Sequence, residues 1–150
     1  MPELRRGLVL DANILVRGVL GQRVRSLLEQ HAEHVALLAP QAAFDDARRH
    51  LPTIADKRGL DVVALFAVLD ALEQLIFPIS EDTYGELREA ALPRIEVRDP
   101  DDWPVVATAL ALQSPIWTED QDFFGTGVAT WTTALVELYF TEADQGTAEH

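Results

Sequence analysis

The sequence predicts an α/β domain of three layers, in which helices cover both faces of a central parallel sheet of four to five strands. Three observations lead there. Short apolar runs recur along the chain, among them Gly7–Leu10, Val35–Leu38 and Leu75–Ile79. Between them lie longer stretches whose apolar residues return at helical spacing. Glycine, proline and aspartate punctuate the joins. A strand buried on both faces reads as a continuous apolar run, and strand–helix alternation is the pattern of parallel βαβ units.

Taken in order, Gly7-Leu8-Val9-Leu10 is a buried strand that ends at Asp11. Asn13–Leu20 supplies a first turn or two of helix, closed by Gly21. Gln22–His34 is an amphipathic helix with Val24, Leu27, Leu28 and Ala32 on one face. Val35–Leu38 is the second strand. Pro40 then opens a helix to about His50, and Pro52, which has no amide hydrogen, is expected to stop it. Asp61–Leu75 is the longest helix, striped by Val62, Leu65, Leu69, Leu72 and Leu75, and Leu75–Ile79 is the third strand. Ser80 is placed as the N-cap of a helix to about Ala91, ended by Pro93. Arg94–Arg98 is a connection or short strand. Asp101 or Asp102 caps the next helix, which carries Val105, Val106, Ala109, Leu110 and Leu112, with Pro104 tolerated in its first turn. Pro115–Thr118 is a fourth strand, Val128–Trp131 a fifth, and Ala134–Phe140 the last helix. Residues 1–140 make one domain, and the polar tail Thr141–His150 is expected to be disordered.

Composition narrows the class. At 150 residues, 48% apolar and mean hydropathy +0.02, the chain can bury a core. The longest apolar stretch, Val62–Leu69, falls well short of the roughly 20 residues that span a bilayer. The N-terminus shows no signal-peptide pattern, so no membrane association and a cytoplasmic location are expected. With no cysteine there is no disulfide framework, thiolate metal site or cysteine nucleophile. The net charge of −13 argues against simple electrostatic binding to nucleic acid. Its distribution is uneven. Residues 1–58 hold nine basic against seven acidic side chains, and residues 59–150 three against eighteen.

Ligands of an open parallel sheet sit outside the carboxyl ends of its strands. Asp11 and Asp120 fall directly after expected strands; Asp102 and the pair Asp45/Asp46 lie at helix starts that open onto the same edge. Carboxylates crowded together repel unless a cation neutralises them, and hard divalent cations prefer such all-oxygen donors. Simpler roles exist for most of these residues. Asp101 and Asp102 suit helix caps, Asp45 and Asp46 suit a solvated helix start, and Asp120 and Asp122 suit an acidic turn. Asp11 is harder to dismiss, because an acid directly after a buried strand needs a partner. Other chemistries lack their motifs. There is no GxxxxGK[ST] or GxGxxG, Gly125-Thr126-Gly127 reads as a turn, and Ser26, Ser80 and Ser114 have no nucleophile-elbow setting. His31 and His34 share a helix face without a third ligand nearby and are read as packing or surface residues.

Leu8-Val9-Leu10-Asp11-Ala12-Asn13-Ile14-Leu15-Val16 resembles the opening of a PIN domain, the nuclease fold of VapC-type toxins and the PilT N-terminus group. Arg98–Ala111, with Asp99-Pro100-Asp101-Asp102 before an apolar-Ala-x-Ala helix, resembles the later acidic segment of that family. Ile116-Trp117-Thr118-Glu119-Asp120-Gln121-Asp122-Phe123-Phe124 resembles its apolar-Thr-x-Asp-x-Asp-Phe element. The three segments occur in family order, and the resemblance covers about residues 7–140.

The resemblance implies a metal-dependent ribonuclease using Mg²⁺ or Mn²⁺, with Asp11, Asp102 and Asp120 as catalytic and metal-holding acids. Asp122 is implied as an accessory metal ligand and Asn13 as an accessory residue. The family usually carries Glu in the helix after the second strand; here Asp45-Asp46 stand there, and Asp46 fits better when counted back from Leu51. Its side chain is one methylene shorter. Arg17, Arg23, Arg25, Arg48 and Arg49 are candidate phosphate contacts. The expected partners are an RNA substrate and a small antitoxin protein, with a second copy of the chain admitted as a homodimer. A catalytically weak PIN-like association module is the alternative, and a phosphotransfer domain with Asp11 as nucleophile is a third reading.

Overall fold

The structure, a computed structural model, describes residues 6–148, with side chains through residue 142. Its sheet has five strands in the spatial order β3-β2-β1-β4-β5, and every neighbouring pair is parallel. These are β1 (Arg6–Leu10), β2 (Val35–Pro40), β3 (Phe77–Ile79), β4 (Ile116–Trp117) and β5 (Thr130–Trp131). The expected three-layer α/β architecture is the one observed. Leu8, Val9 and Leu10 of the central strand are all fully buried. Successive side chains point to opposite faces, so Leu8 and Leu10 enter one core and Val9 the other.

The first core lies beneath α1 (Ala12–Leu20), α2 (Gln22–His31), α3 (Gln41–Arg58), α4 (Val62–Leu72) and, near the C-terminus, α8 (Val136–Ala148). Ile14, Leu28, Phe44, Leu51, Leu69 and Phe140 fill it. The second lies beneath α5 (Glu81–Tyr84), α6 (Arg88–Ile95) and α7 (Trp103–Ala111), where Tyr84, Ala91, Ile95 and Val106 meet Val9 and Ile116. The chain builds outward from β1 through β2 to β3, then returns to place β4 on the other side of β1. That reversal opens a crevice at the carboxyl ends of β1 and β4. No helix among the described residues is long and apolar enough to cross a membrane.

Several boundaries differ from expectation. Pro52 does not stop α3, which runs on to Arg58. The missing amide leaves one carbonyl without its helical bond, but Pro52 is exposed, so water can reach that turn, while Leu51 and Ala55 on either side are buried and hold the helix to the core. Pro93 likewise lies inside α6, between buried Ala91 and Ile95. The single helix expected from Ser80 is instead α5, a 3-10 turn at Gly85–Leu87, and α6; Gly85 weakens the helix where it divides, and Ser80 makes no side-chain cap bond. α8 continues to Ala148, eight residues past the expected end and into the segment expected to be disordered.

Two helix ends show the cost of a left-handed residue. α3 closes on Gly59 at φ 64°, which glycine adopts without penalty. α7 closes on Gln113 at φ 50°, where the Ser114 amide donates to the Ala109 carbonyl at 3.0 Å and the Gln113 amide to Leu110 at 3.4 Å. Gln113→Gly relieves the clash of Cβ with the backbone and should raise stability by about 0.5–1 kcal/mol. Thermal or urea unfolding checks this, with Gly59→Ala expected to lower stability by a similar amount.

Candidate functional site

Asp11 ends the central strand and caps α1, its backbone extended at φ −88° and ψ 174°. Oδ1 accepts the Ile14 amide at 2.9 Å, and Oδ2 accepts the hydroxyl of Thr118, just beyond β4. Thr118 is fully buried, and its hydroxyl oxygen accepts the Asp120 amide at 2.9 Å. Asp120 in turn accepts the Asp122 amide at 2.9 Å. One series of hydrogen bonds thus crosses the crevice and sets the loop after β4 relative to Asp11.

The neighbouring acids come from the turn before α7. Asp99 accepts the Asp101 amide at 3.1 Å and so caps the 3-10 turn Pro100–Asp102. Asp102 stands at the N-cap position of α7 but makes no side-chain cap bond, contrary to the simple capping role. With Asp99 capping the turn, the Asp102 carboxylate faces the crevice. Carboxylate oxygens of Asp99, Asp102 and Asp122 lie within 4.8 Å of one another. Arg98 donates to the Gln121 carbonyl at 2.8 Å and Arg94 to the Thr126 carbonyl at 2.8 Å, tying the two acidic loops together.

Asp11, Asp46, Asp102, Asp120, Asn13 and His50 line a cleft of about 170 Å³ at this crevice. Asp46 and His50 are four residues apart on α3 and therefore share a helix face. Asp45 is exposed outside the cleft and accepts Gln41 Nε2 at 3.4 Å. Asp122 does not line the cleft; it joins the site through the cluster it shares with Asp99 and Asp102. A larger groove of about 700 Å³ lies at the opposite, amino ends of the strands, beside Arg6, Gln113, Trp131 and Tyr139. Its one carboxylate, Glu142, is paired with Arg6 at 3.5 Å.

The arginines expected to contact phosphate are mostly engaged elsewhere. Arg23 pairs with Glu137 at 2.5 Å, Arg25 caps the carbonyls of Gly18 and Val19, and Arg48 bonds Asp70 and Glu73 at 2.7 and 2.6 Å. Arg49 pairs with Asp46 at 3.0 Å. Arg17 is exposed. Thr118, Asp99 and His50 were not among the site residues expected from sequence. Helical spacing from Asp46 was the signal for His50, and spacing within the Asp99–Asp102 turn was the signal for Asp99.

Among the described residues, no basic side chain pairs with Asp11, Asp102, Asp120 or Asp122. Burial pushes the Asp11 carboxyl from 3.8 up to about 6, against the lowering effect of the Thr118 and Ile14 hydrogen bonds, with Asp120 and Glu119 adding repulsion. Asp102 is pushed up to about 7 by burial first, then by Asp99, Asp120, Asp11 and Asp122. An all-oxygen donor set with uncompensated negative charge fits a hard divalent cation. Asp11, Asp46, Asp102 and Asp120 line the cleft, with Asp46 paired to Arg49, and the carboxylates close enough together to share an ion are those of Asp99, Asp102 and Asp122.

The raised values fix the sign of a pH effect. A carboxyl whose folded value lies above its unfolded one favours the fold when protonated, so its contribution is complete below about 4 and is lost as pH rises through about 6. For Asp11, 4% exposed, the loss amounts to about 3 kcal/mol. In chelator the melting temperature should therefore rise on acidification from about pH 7 to about pH 5. Added Mg²⁺ or Mn²⁺ should diminish that rise, and Asp11→Asn, which keeps an acceptor for the Ile14 amide, should raise metal-free stability at neutral pH. Calorimetric melts measure all three; a large loss in Asp11→Asn would instead make Asp11 a structural anchor.

A family profile described as PIN domain matches residues 9–141. No curated protein sequence matches the chain significantly. Among solved structures, the chain is similar to VapBC2 from Rickettsia felis bound to a DNA fragment from its promoter, at 16% identity and TM-score 0.62, over 84% of this chain and 98% of that one. It is similar to FitAcB from Neisseria gonorrhoeae at 16% identity and TM-score 0.62, over 85% and 98%. FitAB bound to the IR36 DNA fragment is similar at 19% identity and TM-score 0.51, over 84% and 94%. At such identities the structures speak to the fold, and the profile, which spans most of the chain, speaks to the family. This chain belongs to the PIN domain family.

Proposed function

We propose that this protein is a Mg²⁺- or Mn²⁺-dependent endoribonuclease that hydrolyses RNA phosphodiester bonds as the toxin of a toxin–antitoxin pair in the cytoplasm. The observation that carries the reading is the meeting of Asp11, Asp46, Asp102 and Asp120 around one cleft at the reversal point of the sheet. A divalent cation bound there supplies an acidified water and offsets the charge of the approaching phosphate. Asp11 and Asp120 are held by hydrogen bonds to main chain and Thr118, so their carboxylates need little reorganisation to act. Asp102 and Asp46 close the cleft from α7 and α3. Asp122 serves as an accessory ligand beside Asp102, and the exposed Asn13 amide is available to substrate or bound water. A small antitoxin is the protein partner that goes with this reading, a second copy of the chain is admitted beside it, and exposed Leu60, Val63, Leu135 and Leu138 offer apolar surface.

A second reading, a catalytically weak association module, draws on one contact. Arg49 pairs with Asp46 at 3.0 Å, and Asp46 is already shorter than the glutamate usual in the family. The two readings separate in metal-titrated cleavage of a mixed single-stranded RNA pool by protein freed of any partner. For a nuclease, cleavage requires Mg²⁺ or Mn²⁺ and vanishes in chelator. Asp11→Ala and Asp120→Ala should each lower kcat by about 10²-fold or more, with the double variant scarcely worse, because members of one catalytic unit are not additive. Asp46→Glu restores reach, and Arg49→Gln releases Asp46; both should raise activity or lower the metal needed. Absence of metal-dependent cleavage in the wild type and in Asp46→Glu would leave the association module standing.

A further inference from the structure

We propose that His50 is the phosphate contact of this cleft, its imidazole N–H donating to a non-bridging oxygen of the RNA phosphodiester addressed by the carboxylates. The inference rests on the nuclease reading and concerns the substrate side of the same site.

A phosphodiester is an anion, and the cleft that would receive it is lined by four aspartates. Ala12 and Val16 add only apolar side chains. The side-chain donors left among the lining residues are the Asn13 amide and the His50 imidazole, and His50 alone of them can carry positive charge. The nearby arginines do not fill this role. Arg48 is held by Asp70 and Glu73, and Arg49 by Asp46. His50 is exposed, and its imidazole makes no hydrogen bond or ion pair with the described residues. It lies one helical turn beyond Asp46, on the same face of α3. An imidazole presents an N–H donor whether neutral or protonated, so the contact does not depend on a change of charge. A phosphate drawn to the carboxylates by their cation would then be met from the α3 side by His50, which fixes its orientation.

His50→Ala and His50→Gln test this with three measurements. Calorimetric titration with Mn²⁺ alone reports the metal site. Titration with adenosine 5′-monophosphate in Mn²⁺ reports phosphate binding to a ligand that has no phosphodiester to cleave. Steady-state cleavage of single-stranded RNA separates KM from kcat. In His50→Ala, mononucleotide affinity should fall and the KM for RNA should rise by about tenfold, with Mn²⁺ affinity and melting temperature unchanged. His50→Gln, which keeps an N–H donor, should recover part of the loss. Unchanged KM and mononucleotide affinity in His50→Ala, while the wild type cleaves RNA, would overturn the assignment and spare the nuclease reading. Weakened Mn²⁺ binding in His50→Ala would make the residue a metal ligand and overturn it as well. A wild type that binds Mn²⁺ but neither binds the mononucleotide nor cleaves RNA would remove both.

Discussion

A carboxylate at the end of a strand buried on both faces has to be satisfied where it stands, and Asp11 meets that demand with both of its oxygens. One caps α1 through the Ile14 amide, and the other takes the Thr118 hydroxyl. The second bond matters more for the architecture, because Thr118 belongs to the segment after β4 and Asp11 to the end of β1. β1 is the middle strand, registered against β2 on one side and β4 on the other, so the pair is anchored in the stiffest part of the sheet. Asp120 and Asp122 are then positioned in turn by bonds that begin at the Thr118 hydroxyl.

The same constraint explains how a chain of net charge −13 uses its few cations. Arg25 closes the C-terminal end of α1, Arg48 joins α3 to α4, and Arg23 reaches Glu137 of α8. Arg94 and Arg98 bind carbonyls of the loops around the acids and leave the carboxylates themselves unpaired. Most of the described arginines in the less acidic N-terminal part of the chain thus secure helices. Negative charge is left concentrated in the crevice, where burial and mutual repulsion raise Asp11 and Asp102 together. Concentrated negative charge of this kind repels an anion unless a cation offsets it.

The site was readable in part from local pattern. Asp11 after Leu8-Val9-Leu10 and Asp120 after Ile116-Trp117-Thr118 stand at strand ends, and strand ends in a parallel sheet face the ligand crevice whatever the loops do. Choices between adjacent residues were not readable in the same way. Composition alone does not separate Asp45 from Asp46, and counting back from Leu51 favours Asp46; the packing of Ala43, Phe44, Ala47 and Leu51 into the core is what turns Asp46 and His50 of α3 toward the cleft. Asp101 and Asp102 are both good caps from sequence, but Asp99 takes that role by accepting the Asp101 amide, and neither of the two makes a side-chain cap bond.

By itself, then, the sequence determined the strand–helix alternation, the parallel sheet it implies and the acids that follow β1 and β4, because these depend on periodicity and on the two-sided burial of apolar runs. Tertiary structure decided the strand order, the passage of α3 and α6 through Pro52 and Pro93, and the company Asp102 keeps with Asp99 and Asp122. Propensity weighs a few neighbours along the chain. A helix pinned on both sides of a proline by buried residues, or a carboxylate placed by a turn that another segment's arginine holds, answers to contacts between residues far apart in sequence, and those exist only once the layers have packed.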